Sequence, residues 1–216
     1  MLVAGGLRLS SYWYPLLALP KSAKLFKPNA NFNQAFKLYC FDRELRRIIL
    51  SELEKIEIAI RAKLINIMSL AYSPFWVEDV TLFDDLAEYT NTKAKLTQES
   101  NRSDEIFIKD FKRKHSNPLP PCWMLLEVAS FGNISKLYSN LKKSPSKREI
   151  AHHFGLGVPI FESWLHSLAY IRNACAHHAR IWNKKIMIQA RIPQNPQKQW
   201  LTNGVTDNQK VYFVLL

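Results

Sequence analysis

Residues 172–178 (RNACAHH) bring together side chains that can transfer protons and bind phosphate. Arg172, Asn173 and His177 lie within two helical turns of one another. An imidazole with a pKa of about 6.5 can remove a proton from a ribose 2′-hydroxyl or donate one to a leaving oxygen. A guanidinium can bind phosphate oxygens through two parallel hydrogen bonds and stabilise charge in the transition state. The set predicts metal-free phosphodiester cleavage of RNA, whose 2′-hydroxyl is the internal nucleophile.

The spacing does not place all three side chains on one face of a helix. Five residues at about 100° each separate Arg172 from His177 by roughly 140°, whereas Asn173 and His177, four residues apart, share a face. Two copies of the helix around a two-fold axis can pool two arginines and two histidines in one cleft. The spacing therefore predicts a composite site at a homodimer interface.

Structural interpretations of the same residues stay open at this point. An arginine and a histidine five residues apart occur often by chance. Arg172 can instead be a buried salt-bridge residue, paired for example with Glu127 or Glu162. His177 and His178 can simply occupy a helix end, where an imidazolium interacts favourably with the helix dipole.

The sequence does not favour a metal centre or a bound cofactor. Cys175 and His178 lack the CxxC or HxxxH partners typical of zinc sites. Cys175 lies on an apolar stripe, which indicates a buried, inert thiol. The 3 cysteines are far apart in the chain, a pattern that fits a reducing cytoplasm rather than a disulfide framework.

Hydrophobic periodicity predicts an all-α fold with few strand signals. The predicted helices cover residues 41–72, 84–95, 104–114, 122–141 and 147–154, followed by the motif helix that starts after Gly157-Val158-Pro159. A kink is expected at Gly132-Asn133. The first 30 residues and those after Trp182 are expected to be irregular, and the apolar residues 211–216 are expected to pack against something.

The motif helix has two distinct faces in projection. Residues at steps of three or four form an apolar stripe that includes Arg172: Phe161, Trp164, Leu165, Leu168, Arg172 and Cys175. A guanidinium there needs a partner, because burying it unpaired costs several kcal/mol. The neighbouring stripe is polar and consists of His166, Tyr170, Asn173 and His177. The sequence thus predicts a row of proton-handling groups beside a core face.

The charge distribution favours a polyanionic partner. The 216 residues carry a formal net charge of +12, and residues 109–216 contribute 16 basic and 5 acidic side chains. Such an excess favours nucleic acid because phosphate neutralisation releases counterions; a general solubility charge is the alternative. The basic cluster of Lys142, Lys143, Lys147 and Arg148 is expected to bind substrate.

Length and hydropathy indicate a single soluble domain. At 216 residues with 47% hydrophobic residues, one domain with an ample core is expected. No apolar run reaches about 18 residues, and the first 20 residues lack the order of a signal peptide. We therefore predict a cytoplasmic protein with no membrane partner.

Four stretches together resemble the Abi-like family of bacterial abortive-infection proteins. They are LSSYWYP (residues 9–15), FDRELR with IEIAIR (41–46 and 56–61), WMLLEVASFG (123–132) and RNACAHHARIWN (172–183). The resemblance spans about residues 7–185. The last stretch also matches the R-N-x-x-x-H motif of HEPN ribonucleases. The same motif occurs in RNA-targeting CRISPR effectors, which Abi-like proteins resemble.

The resemblance implies a HEPN-like helical bundle and a metal-independent endoribonuclease that blocks phage growth, with Arg172, Asn173 and His177 as catalytic residues. His178 and Arg180, in the same stretch, are expected to contact substrate. An antitoxin or a non-coding RNA is an expected regulator. Family members usually have an extra helix before the first stretch and further helices after the last, so residues 1–216 are expected to be a single domain shortened at both ends.

Two other functions remain as alternatives to the enzyme. One is a non-catalytic RNA-binding or regulatory module, a decayed copy that binds RNA without cutting it. The other is a protein-interaction element whose C-terminal apolar segment docks on a partner helix.

Overall fold

The computed structural model describes residues 9–194 and 207–211, and within them the predicted all-α class is confirmed. The described residues contain isolated β-bridges, such as that between Phe83 and Leu141, but no β-sheet. The α-helices are α1 (Phe32–Ala71), α2 (Leu86–Arg102), α3 (Ile106–Lys114), α4 (Cys122–Val128), α5 (Phe131–Ser139), α6 (Pro145–His153) and α7 (Val158–Ala176).

The scaffold of the fold is the 40-residue helix α1, which starts nine residues earlier than expected. Its start is set by a capping box: the Asn31 side chain accepts from the Gln34 backbone N–H at 3.1 Å, and the Gln34 side chain accepts from the Asn31 N–H at 3.2 Å. These bonds satisfy two backbone donors that have no partner inside the helix. The helix ends just before Ser73-Pro74, as predicted, because proline restricts the residue before it.

The expected single helix over residues 122–141 is two helices, α4 and α5, and the glycine kink is wrong. The chain is extended at Ala129, with ψ of 140°. Side chains from two other helices hold this break: the Ala129 carbonyl accepts from Arg61, and the Ser130 N–H donates to Glu99 at 3.2 Å. The break thus depends on tertiary partners rather than on local glycine chemistry.

Helix α2 also extends through residues 97–102, which were expected to be a polar connection. Leu96 and Ser100 are fully buried on its inner face, and the Thr97 hydroxyl donates to the Lys93 carbonyl at 2.8 Å. Because this face is buried, the helix extends through residues whose own helix propensity is weak.

Four helices pack on α1, and together they enclose one hydrophobic core. Helix α1 contacts α4, α5, α6 and α7, while α7 also packs on α5 and α6, and α2 packs on α4 and α5. Leu64, Trp76, Leu125, Ile134 and Leu165 are among the fully buried side chains of this core. The motif helix α7 is therefore held by three neighbouring helices.

The N-terminal segment is more ordered than a loop. Residues 9–13 are helical, and two short 3₁₀ turns follow at Tyr14–Leu16 and Lys21–Ala23. Tyr12 is buried, with 2% of its surface exposed, so this segment belongs to the core. In the apolar segment 211–216 the structure describes Val211, which is buried; the rest of that prediction lies outside the described residues.

Across the described ranges 9–194 and 207–211, no helix combines the length and the hydrophobicity that a membrane crossing requires.

Candidate active site

The motif residues lie at the C-terminal end of α7. Arg172 and Asn173 are in its last turns, and His177 caps it by donating its backbone N–H to the Asn173 carbonyl at 2.9 Å. His178 adopts a positive φ of 57°, which turns the chain away from the helix axis. The imidazoles of His177 and His178 are both exposed and make no hydrogen bond to the described part of the chain. Both rings are thus free to meet a ligand.

Arg172 does not lie on the buried face of α7, so the predicted apolar stripe is corrected there. Ile171 is buried instead, alongside Leu168 and Cys175, whereas the Arg172 side chain is 39% exposed. The expected partners Glu127 and Glu162 are also wrong. The Arg172 Nε lies 3.7 Å from the Oε2 of Glu57 on α1.

Glu57 is shared between two arginines. Its Oε1 accepts from the Arg61 Nη2 at 2.8 Å, and both of these side chains are nearly buried. Glu57, Arg61 and Arg172 line a cavity of about 410 Å³ with Glu54 and Glu127. The motif guanidinium therefore already faces a carboxylate of the same chain.

Asn173 faces a different and larger cavity. Its Oδ1 accepts a long hydrogen bond of 3.4 Å from Arg172, and its side chain lines a cleft of about 960 Å³ between α2, α5 and α7. His166 and Tyr170 line the same cleft, so three of the four members of the predicted polar stripe are brought together. Arg172 and Asn173 thus line two different cavities.

The chain after the motif is fixed by a buried ion pair on α1. Asp42 is fully buried, and its carboxylate accepts from the Arg46 Nη1 at 2.6 Å and from the Trp182 backbone N–H at 2.7 Å. It also accepts from the Ile181 N–H at 3.2 Å and from the Tyr12 hydroxyl. Four donors offset the cost of burying this carboxylate. We call Tyr12, Asp42 and Arg46 the anchor cluster.

The anchor cluster joins three stretches that are distant in sequence. Arg46 also donates to the Ala179 carbonyl at 3.3 Å, and Arg180 donates to the Ser11 carbonyl at 2.5 Å. The N-terminal stretch, α1 and the residues just after His178 are therefore tied to one another. Sequence reasoning noted these stretches but missed the buried role of Asp42 and Arg46, for which their i,i+4 spacing is a weak signal.

Burial shifts the pKa of two groups near this cluster upward. It raises the pKa of the Cys175 thiol to about 11, with Arg46 opposing and Asp42 adding to the shift. It raises the pKa of Tyr12 to about 12, assisted by its hydrogen bond to Asp42. Cys175 is 1% exposed, and a thiol in that state is neither a nucleophile nor a ready metal ligand.

The described residues contain no group of three or more histidine, cysteine or acidic side chains placed to hold a metal ion.

The predicted basic cluster is split by the structure. Lys142, Lys143 and Arg148 are exposed around the start of α6. Lys147 is 4% exposed, and its Nζ binds Glu162 at 2.8 Å and the Leu141 carbonyl at 2.6 Å. Its expected role in substrate binding is therefore corrected: Lys147 ties α6 to α7.

Arg180 is placed between the N-terminal stretch and solvent. It lines a shallow cavity of about 480 Å³ with Ser10, Ser11, Tyr14 and Lys184. Two cations, Arg180 and Lys184, therefore face this third cavity, and both belong to the chain that follows the motif.

Comparison with known proteins gives one finding. The model of the family described as Abi-like protein matches residues 4–183, which include every stretch described above. No curated protein and no solved structure shows a significant match to the chain.

Proposed function

Because the chain belongs to the Abi-like family over most of its length, we propose that it is a metal-independent endoribonuclease of bacterial phage defence by abortive infection. The observation that carries this proposal is the surface placement of Arg172, Asn173 and His177 at one end of α7. Their side chains supply a cation, an amide and an imidazole. This is the chemistry that cleavage by the ribose 2′-hydroxyl requires.

Each residue has a separate role in the proposed reaction. His177 acts as general base toward the 2′-hydroxyl or as general acid toward the leaving 5′-oxygen. Arg172 binds the scissile phosphate and stabilises its added negative charge. Asn173, hydrogen-bonded to Arg172 at 3.4 Å, orients the guanidinium and the substrate.

A homodimer is part of the proposal because Arg172 and His177 do not share a face of the helix, and Arg172 and Asn173 line different cavities. Pairing two copies near the ends of their α7 helices would set the His177 of one protomer beside the Arg172 of its partner. The exposed cations Lys142, Lys143 and Arg148 would draw RNA toward the pair, because phosphate neutralisation releases counterions.

The test is cleavage of labelled single-stranded RNA by the purified chain in EDTA. We expect cleavage by the parent and its loss in Arg172→Ala and in His177→Ala. Matched controls are Arg102→Ala and His152→Ala, which remove exposed side chains of the same types outside the site. Cleavage that persists in the double variant Arg172→Ala/His177→Ala would reject the assignment.

Mixing the two single variants tests the composite site. A heterodimer of one Arg172→Ala chain and one His177→Ala chain retains one intact arginine and one intact histidine. If these act across the interface, mixing restores part of the activity that each variant lacks alone. Complete inactivity of a mixture in which heterodimers are demonstrated by crosslinking would refute the shared site.

A non-catalytic RNA-binding module is the second candidate function, and one observation favours it. Glu57 lies 3.7 Å from the Arg172 guanidinium, where a phosphate would have to displace it. If the carboxylate is never displaced, RNA binds at the basic surface without being cut. A gel shift without cleavage in EDTA would identify this outcome.

A further inference from the structure

The cleft between α2, α5 and α7 is lined by two polar side chains that no group within residues 9–194 and 207–211 engages. Asn133 and Ser135 line it and are 8% and 4% exposed. Within the described residues neither side chain makes a hydrogen bond. Their polar atoms are open to the cleft and not enclosed in the core. An amide and a hydroxyl that no protein group engages are available to bond a ligand in the cleft.

Most of the charged side chains that line the cleft are already paired with other groups of the protein. The Asp85 carboxylate accepts from two backbone N–H groups at the start of α2, at 2.8 and 2.9 Å. Glu88 pairs with Lys136 at 3.3 Å, and Glu162 pairs with Lys147. The cleft is therefore polar rather than strongly basic. It suits an uncharged group rich in donors and acceptors better than it suits a phosphate.

The volume of the cleft and the residues around it narrow the choice of ligand further. Its volume of about 960 Å³ lies at the upper end of small-molecule sites, so a nucleoside fits with room to spare. Tyr170 offers an aromatic ring, and aromatic rings stack on unpaired bases in single-stranded RNA. Asn173, which the proposed function places at the scissile phosphate, lies on the wall of the same cleft.

We propose that this cleft binds one unstacked base of the RNA substrate, next to the bond that is cut, and reads it through Asn133 and Ser135. The inference rests on the proposed function for the identity of the substrate. The amide of Asn133 can both donate and accept, as the edge of a base requires. The base in the cleft then selects which linkage reaches Arg172 and His177.

The experiment measures fluorescence anisotropy of labelled 12-nucleotide oligo(A), oligo(C) and oligo(U) in EDTA, with His177→Ala in every chain so that the RNA stays intact. Asn133→Ala should weaken binding of the preferred homopolymer by about tenfold, as expected for a lost hydrogen bond to a buried group. Asn133→Asp replaces a donor by an acceptor and should change the order of preference among the three RNAs. Asn66→Ala, an exposed asparagine on α1, is the matched control and should leave all three affinities unchanged.

Ser135→Ala is the second variant, which keeps the test valid if Asn133→Ala fails to fold, because it removes only one hydroxyl. It should also weaken binding of the preferred RNA. Equal loss for all three RNAs, or no loss in either variant, would overturn the proposed base site. The cleavage assay separates this from the proposed function. If the parent chain cuts RNA but its RNA affinity does not depend on Asn133, only the proposed base site is refuted. If RNA affinity depends on the base and on Asn133 but the parent chain never cuts RNA, only the proposed nuclease activity is refuted.

Discussion

The Asp42 carboxylate lies 2.7 Å from the backbone nitrogen of Trp182, 140 residues later in the chain. This contact fixes the segment that leaves the motif, and the same carboxylate pairs with Arg46 and Tyr12. Because the segment begins right after His178, the anchor cluster determines how the chain departs from the candidate active site.

Removal of Asp42 should therefore destabilise the whole fold. Asp42→Ala leaves the buried Arg46 guanidinium without its counterion and should lower the free energy of unfolding by about 3–5 kcal/mol. Asp110→Ala is the control, since its pair with Arg113 is solvent-exposed and should cost less than about 1 kcal/mol. Urea denaturation followed by far-UV circular dichroism measures both. Equal small losses in the two variants would contradict the role of the anchor cluster.

Lys147 and Lys143 should behave in opposite ways. Lys147→Ala leaves Glu162 unpaired in a partly buried place and should reduce stability by about 2–3 kcal/mol. Lys143→Ala should leave stability unchanged, because the side chain is exposed. In RNA binding, Lys143→Ala should reduce the dependence of log affinity on log salt by about 0.7 if it contacts one phosphate. A salt slope unchanged by Lys143→Ala would remove this residue from the RNA-binding surface.

Glu57 should restrain the Arg172 side chain. Glu57→Gln keeps a hydrogen-bond acceptor for Arg61 but removes the negative charge beside Arg172. We expect RNA to bind up to about fivefold more tightly at low salt, the effect of losing one partly exposed ion pair. Glu54→Gln is the control, because Glu54 lines the same cavity and forms no ion pair within residues 9–194 and 207–211. Anisotropy with labelled RNA measures the difference, and identical gains in both variants would assign the effect to general charge.

Cys175 should make stability depend on alkaline pH. Its pKa is about 11 in the folded chain against an ordinary value of 9.0. Between these values the unfolded thiol releases its proton while the folded thiol keeps it, so stability falls as pH rises. The free energies of unfolding from urea titrations at pH 8 and pH 9.5 should differ by about 1 kcal/mol more in the parent than in Cys175→Ala. Equal pH dependence in the two chains would show that the thiol is not buried as described.

The sequence predicts the helices better than their partners. Apolar periodicity identified α1 and α7 because each buries a continuous face. It could not identify the break at Ala129, which is held by Arg61 and Glu99 from other helices. Side-chain types along one helix do not reveal contacts made across the fold.

In the candidate site, too, features that depend on one helix were predicted and contacts between helices were not. The position of Asn173 beside His166 and Tyr170 follows from helical spacing alone and is confirmed. The exposure of Arg172 was predicted wrongly, because the projection counted it with the apolar stripe and did not anticipate Glu57 on α1. Lys147 was placed among surface cations for a similar reason: its partner Glu162 is fifteen residues away, on the next helix.

Asp42 and Glu57 lie on the same uninterrupted helix, which fixes the distance between the contacts that each of them makes with the chain around the motif. Fifteen residues at about 1.5 Å each set the two carboxylates about 22 Å apart along the axis. Within helix α1, Asp42 holds the chain that follows the motif, and Glu57 contacts the motif arginine. Deleting a single residue between them would rotate Glu57 by about 100° away from Arg172 while leaving the loop fastened, so the length of this stretch matters as much as its composition.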